Sequence, residues 1–321
     1  MSRPRIALIG TGGTISSLGE DPFDVQDYGR HGRIMDAAAL LAHWPALGQV
    51  ADITPLPFRA IPSTALGPPE WLELAAKVRA AAAAGFEGIV VTHGTATLEE
   101  TAWFLALACP VPVGLVLVGA QRPSSGLSSD AGQNLADACR VAGDPGARGL
   151  GALVVMNGEI QAARDVTKTH TARLQTFRTP DYGVLGHAEA DGVHWHRRPV
   201  RPVGGFDSTV LASLPRVDIV PCYAGADGAA VGAFLAAGAK GLVLEGFAPS
   251  GATPALVEAL RAAPVPVVSA TRAAAGPVFR TTRTEAAGWI HAGTLRAVKA
   301  RILLMLALAQ GMDAREAFAR Y

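Results

Sequence analysis

Thr14, Thr95, Lys168 and Tyr28 are the side chains in this sequence whose types and settings suit acyl transfer, and Ser63 stands in a comparable stretch. All five lie at or near small, polar, loop-like stretches that should fall on one edge of a sheet. A threonine hydroxyl is a weak nucleophile until a neighbouring group removes its proton, and a lysine or tyrosine held nearby can do so. Lys168 would have to be partly desolvated to act as a base, because burial disfavours the ammonium form. Backbone N–H groups in tight turns would bind the oxyanion of a tetrahedral intermediate. A Ser-His-Asp hydrolase would instead show a Gly-x-Ser-x-Gly elbow, and the sequence has none.

The elements that must position these residues begin with Arg5-Ile-Ala-Leu-Ile-Gly10, an apolar run that stops in Thr11-Gly12-Gly13-Thr14. This reads as a buried strand feeding a tight turn, with glycines that admit positive φ and close approach of a ligand. A dinucleotide fingerprint would need glycine where Ile15 stands, and a P-loop would need a lysine after its second glycine. Gly88-Ile-Val-Val-Thr92 repeats the pattern, ending in His93-Gly94-Thr95-Ala96-Thr97. Further strands are expected at 51–58, 112–119 and 151–157, with helices at 35–44, 69–84, from Glu99, and at 130–142. Such alternation predicts an α/β fold with a doubly wound, mostly parallel sheet, whose ligands sit at the carboxyl ends of the strands. The aperiodic Ser16–Arg33 segment, with Tyr28 as its large polar aromatic, suits a lid. A hairpin turning at Asp191-Gly192 follows, and His194 and His196 share one face of it without a third ligand, as an exposed hairpin would. Residues 197–215 read as a linker, and a smaller α/β unit follows with strands at 217–222, 241–245 and 265–270.

Composition bounds the partners. Half of the 321 residues are apolar and 17% are charged, enough for two packed domains. A formal charge of +1 without a basic tract gives no reason to expect nucleic acid or a membrane surface. Cys109, Cys139 and Cys222 lack metal or redox spacing, and with a first strand starting almost at once they suggest a cytoplasmic protein. The residue set demands neither redox nor Lewis-acid chemistry, so no metal or organic cofactor is implied.

Thr11-Gly-Gly-Thr14-Ile15, Val91-Thr-His-Gly-Thr95, Leu98-Glu-Glu-Thr-Ala102 and Val118-Gly-Ala-Gln-Arg-Pro123 follow one another along the chain. Val155-Met-Asn157, Arg164-Asp-Val-Thr-Lys168-Thr and Tyr182-Gly continue the series. Through these motifs the sequence resembles the bacterial-type L-asparaginase and glutaminase-asparaginase family, a resemblance that covers essentially the whole chain. It implies an N-terminal catalytic domain (1–196), a linker (197–215) and a C-terminal domain (216–321) that completes a neighbouring subunit's site in a homodimer or homotetramer. Thr14 matches the family's nucleophile, Tyr28 its lid tyrosine, Ser63 the serine on the substrate carboxylate, and Thr95 and Lys168 the second threonine and its lysine. Gly13, Thr64, Gly94, Ala96 and Gln121 complete the implied substrate-binding set. The implied reaction is double displacement on a small amide.

The departures carry as much information. Ala96 stands where the family has an aspartate that grips the substrate's α-ammonium, and Thr64 stands where it has a glutamine. Two further ammonium-binding positions align near Gly251 and Thr281 and also lack the expected side chains. An unpaired buried charge is strongly penalised, so the expected substrate is an amide, or a related lactam, imide or ester, without a free α-ammonium. The alternatives are a true L-asparaginase with another ammonium clamp, such as Glu245 or Asp227, and a catalytically silent binding protein on the same fold. Retention of both threonines and the lysine argues against the silent form.

Overall fold

The computed structural model describes residues 3–200 and 203–321, apart from the side chains of His31 and Arg283. Arg201 and Pro202, within the stretch expected to be a linker, lie outside the described residues. The chain divides into two compact units, Met1–Ser208 and Thr209–Tyr321.

The first unit runs β1 (Arg5–Gly10), α1 (Ala37–His43), β2 (Asp52–Leu56), α2 (Pro68–Ala83), β3 (Gly88–Thr92), α3 (Leu98–Ala108), β4 (Gly114–Val118), α4 (Ala131–Gly143) and β5 (Ala152–Met156). It continues with β6 (Glu159–Ala162), β7 (Thr167–Lys168), β8 (Phe177–Arg178), β9 (Gly186–Glu189) and β10 (Gly192–Trp195). The strands β3, β4 and β5 are buried at every residue, and β1 at all but its first. Helices cover both faces, which is why these strands read as continuous apolar runs without alternation. Helix ends follow local chemistry. Asp36 caps α1 by accepting from the Ala39 N–H at 2.8 Å, and Glu70 in the first turn of α2 reaches back to the Gly67 N–H at 3.0 Å.

The sheet order is β10-β9-β6-β5-β4-β3-β1-β2, with β2, β1, β3, β4 and β5 parallel and β6, β9 and β10 joined antiparallel. From β1 the chain crosses to the edge strand β2, and from β3 it crosses the other way to β4. The order therefore reverses between β1 and β3, and the loops beyond their carboxyl ends diverge to leave a crevice. Strand β6 is not among the strands expected from the sequence. Its signal was present in Asn157-Gly158, where both residues have positive φ (54° and 73°), as a two-residue hairpin turn requires. The β7–β8 hairpin was also unforeseen, because its two-residue strands are too short to show a period.

The second unit is a four-stranded parallel sheet ordered β11 (Val217–Pro221), β12 (Gly241–Gly246), β13 (Val267–Thr271), β14 (Ile290–His291). Helices α5 (Ala229–Ala236), α6 (Pro254–Arg261), α7 (Thr282–Ala286), α8 (Ala297–Ala309) and α9 (Ala314–Arg320) connect and flank it. Leu242, Leu244, Leu256, Leu260 and Trp289 lie in its core. Cys109, Cys139 and Cys222 are buried and unpaired by disulfide.

Where the end of helix α4 meets the starts of β3 and β4, the strands carry no side chains. Gly88 and Gly114 are register partners at the starts of these strands, and a Cβ on either would lie 2.3 or 2.4 Å from the Ala142 carbonyl oxygen. A methyl there must push the helix off the sheet. Gly114→Ala is therefore expected to lower the urea midpoint of unfolding by an amount equivalent to about 1–3 kcal/mol, the usual cost of overpacking. An unchanged midpoint would show that α4 is free to shift.

Candidate active site

Three loops meet beyond the carboxyl ends of β1, β2 and β3. Thr11 anchors the first: its N–H and hydroxyl both donate to the Thr92 carbonyl, at 3.1 and 2.8 Å, and its own carbonyl accepts from the Ile61 N–H at 3.0 Å. Gly12 and Gly13 then take φ of 96° and 84°. A Cβ on Gly13 would lie 2.3 Å from the Cα of Gly94, and one on Gly94 would lie 2.6 Å from the Ser63 Oγ. Glycine is needed at both positions, at Gly13 because the loops touch backbone to backbone and at Gly94 because the Ser63 side chain fills the space.

Thr14 opens a single 3-10 turn, Thr14–Ser16, and is half-buried. Its hydroxyl lies 2.8 Å from the Tyr28 phenol. Tyr28 begins another short turn, Tyr28–His31, inside the segment read as a lid. That segment is tied down: the Gly19 N–H donates to Ser125 Oγ at 2.7 Å and the Leu127 N–H to the Pro22 carbonyl at 2.7 Å. Ser124 Oγ donates to the Ile15 carbonyl at 2.6 Å and fixes the turn from beneath.

Thr95 is 8% exposed, and its hydroxyl accepts from Lys168 Nζ at 2.8 Å. Burial holds the Lys168 amine below the ordinary lysine pKa. Lys168 sits on β7, where its backbone N–H and the Thr167 hydroxyl both donate to Glu99 Oε1 at 3.2 Å. Glu99 lies in the first turn of α3 and so joins the helix that follows Thr95 to the hairpin that carries the lysine. The sequence reading gave Glu99 only a helix-dipole role. Its link to Lys168 spans 69 residues and leaves no local signal.

Ser63 is buried, with its carbonyl accepting from the Thr97 hydroxyl at 2.8 Å. Thr64 and Ala96 are exposed. Gln121 is positioned through its backbone, whose N–H donates to the Asp130 carboxylate at 2.9 Å, while its side-chain nitrogen is buried without a hydrogen-bond partner. Asp130 also accepts from the Arg122 N–H and from Asn134 Nδ2, at 2.9 and 3.0 Å. Asp130 and Asn134, at the start of α4, were not singled out in the sequence. The backbone N–H groups of Thr14 and Thr95 have no acceptor among the described residues, so both remain able to bind a ligand oxygen.

Away from this crevice, His187 Nδ1 and His196 Nε2 lie 2.8 Å apart and His194 pairs with Asp191. Among the described residues no three His, Cys, Asp or Glu side chains gather as a metal site would, and no helix is long and apolar enough to cross a membrane.

The structure therefore brings together two hydroxyls, a phenol, a partly desolvated amine and unpartnered N–H donors, which is the equipment of acyl transfer. Two family descriptions match the chain. "Asparaginase, N-terminal" matches residues 5–201 and "Glutaminase/Asparaginase C-terminal domain" matches residues 216–319. The chain is 36% identical over 318 residues to a probable periplasmic L-asparaginase of Haemophilus influenzae, covering 97% of this chain and 90% of that protein. It is 34% identical over 326 residues to L-asparaginase 2 of Escherichia coli, covering 98% and 92% respectively. The crystal structure of a probable cytoplasmic L-asparaginase from Campylobacter jejuni superposes with a TM-score of 0.93 at 34% identity, over 99% of this chain and 100% of the other. With both halves matched and relatives aligned along nearly its full length, the chain belongs to the asparaginase family of enzymes, which hydrolyse the carbon–nitrogen bonds of small amides.

Proposed function

We propose that the protein hydrolyses a small carboxamide by double displacement, with Thr14 as nucleophile, and that its substrate carries no free α-ammonium. The Thr14 hydroxyl loses its proton through Tyr28 and attacks the carbonyl carbon, giving a tetrahedral oxyanion held by backbone N–H groups of the glycine turns. Collapse expels the nitrogen, protonated, as ammonia or an amine, and leaves an ester on Thr14. Water then adds to that ester, and the second tetrahedral species collapses to the free carboxylate and the restored hydroxyl. Lys168, when neutral, accepts a proton through the Thr95 hydroxyl, which is within 2.8 Å. The hydrogen bond between Thr14 and Tyr28 is the observation that supports this reading most directly.

Ala96 supports the substrate assignment. It is an exposed methyl directly after Thr95, in a position where the resemblance calls for a carboxylate. Thr64 beside Ser63 offers a hydroxyl and no charge. An ammonium brought here would find no carboxylate to pair with at either position. Residues 1–196 would form the catalytic domain, 197–215 the linker and 216–321 the domain that completes a neighbouring site in a cytoplasmic homodimer or homotetramer. A second reading, hydrolysis of L-asparagine itself with a clamp from elsewhere, is favoured by the relatives named L-asparaginase.

Two measurements test these assignments. Ammonia release from succinamic acid is expected to exceed that from L-asparagine by at least roughly tenfold in kcat/KM, as expected when one substrate leaves a charge unpaired, and to vanish in Thr14→Val. A preference for L-asparagine would transfer support to the second reading. For Lys168, the sign follows from its role: the base acts when neutral, so kcat/KM rises with pH through a pKa that burial has lowered. Lys168→Met should remove that rising limb and lower kcat by about 10²–10⁴-fold, the usual range for general acid–base catalysis. A mutant that keeps the limb would assign it to another group.

A further inference from the structure

His93 stands between β3 and Thr95 and takes no part in the steps above, yet it is wholly buried. Its backbone N–H donates to the Val118 carbonyl at 2.8 Å, and its ring Nδ1 lies 2.8 Å from the Gly94 carbonyl oxygen. A carbonyl can only accept, so Nδ1 carries the proton and Nε2 keeps a bare lone pair. That Nε2 is buried with no hydrogen-bond partner among the described residues. Burial lowers the His93 pKa to about 4 against the opposing effect of the Gly94 bond, so the ring is neutral at pH 7. An imidazole with one nitrogen orphaned in the core is a poorer filler than leucine or phenylalanine, and what it offers in exchange is the Nδ1–H.

That N–H acts on one peptide plane. The Gly94–Thr95 bond is trans, so the Gly94 C=O and the Thr95 N–H point in opposite directions. Gly94 has no side chain to choose among orientations of this peptide, and glycine tolerates more of them than any other residue. Holding the carbonyl on the His93 side aims the Thr95 N–H to the opposite side, where it has no acceptor among the described residues. Gly13 and Ser63 crowd the same glycine, so a turned peptide would also alter the crevice wall.

We propose that His93 is a positioning residue whose Nδ1–H locks the Gly94–Thr95 peptide so that the Thr95 N–H meets the oxyanion of the tetrahedral intermediate. The proposal rests on the acyl-transfer reading above. It separates the two amide isosteres of histidine: asparagine places its NH2 where Nδ1 stands, and glutamine places its NH2 where Nε2 stands.

The test compares His93→Leu, His93→Gln and His93→Asn in the full chain, by steady-state kinetics on the preferred amide and by crystallography of each variant. Leu and Gln are expected to lower kcat by about 10²–10³-fold, the cost of one oxyanion donor, with KM within roughly threefold of wild type. Asn is expected to recover at least about tenfold of that loss, with the Gly94 carbonyl still bonded to the side chain, whereas the peptide is turned in Leu and Gln. If Leu fails to fold, the Gln and Asn pair decides alone. Wild-type kcat in Leu or Gln, or equal losses in all three with the peptide unmoved, would overturn the assignment. A wild-type protein that releases no ammonia from any amide would count against the hydrolase reading instead. The peptide's orientation in the variants would then decide on His93 separately, a turn supporting the lock and an unmoved peptide overturning it.

Discussion

The contact between Gly13 and Gly94 is the constraint around which the catalytic unit is built. A Cβ on Gly13 would strike the Gly94 backbone and one on Gly94 would strike the Ser63 side chain, while Gly13 itself stands at positive φ. Such an approach places side by side the residues that follow the two glycines, Thr14 and Thr95. The sheet order makes the approach possible. Where crossovers leave in opposite directions, the strand ends face each other with nothing between them. The buried strands act as rigid rods that deliver the loops, and the helices on both faces keep the rods dry.

Polar anchoring then converts proximity into geometry. Each loop is held by an acceptor or donor from a different element: Thr11 by the end of β3, the turn after Thr14 by Ser124, the 119–122 loop by Asp130 and Asn134, and the lysine hairpin by Glu99. Most of these bonds run from a side chain to a backbone group. They fix loop direction without regular secondary structure, at a net gain of about 1 kcal/mol each and a larger penalty when one partner is lost. The arrangement leaves the N–H groups of Thr14 and Thr95 without acceptors among the described residues.

Much of this was legible in the sequence because it depends on local signals. The runs Arg5–Gly10 and Gly88–Thr92 are apolar throughout and end in glycine and threonine, so strand and turn were both readable. The proline at the start of α2 was readable for the same reason, as was the β9–β10 hairpin, whose turn falls at Ala190-Asp191, one residue before the expected Asp191-Gly192, because Gly192 already pairs with Glu189. What escaped is long-range or too short. Glu99 and Lys168 meet across 69 residues, and β7 offers two residues where a period needs at least four. Asn157-Gly158 was a readable turn that the repeating strand and helix pattern overshadowed. Residue roles rest on the family resemblance and not on spacing, and Ala96 is distinctive only against the family's aspartate.

The lysine hairpin is held by means other than a strand ladder. Among the described residues β7 pairs with β8 alone, over two residue pairs, apart from the large sheet. Side chains fix it instead: the Thr167 hydroxyl and the Lys168 N–H donate to Glu99 Oε1, Gln161 Nε2 donates to the Phe177 carbonyl, and Phe177 is buried. A ladder shares its load over backbone pairs that no substitution deletes, whereas each of these bonds depends on one side chain. The place of the amine is therefore open to change by a single substitution at Glu99 or Gln161 that leaves the large sheet as it is.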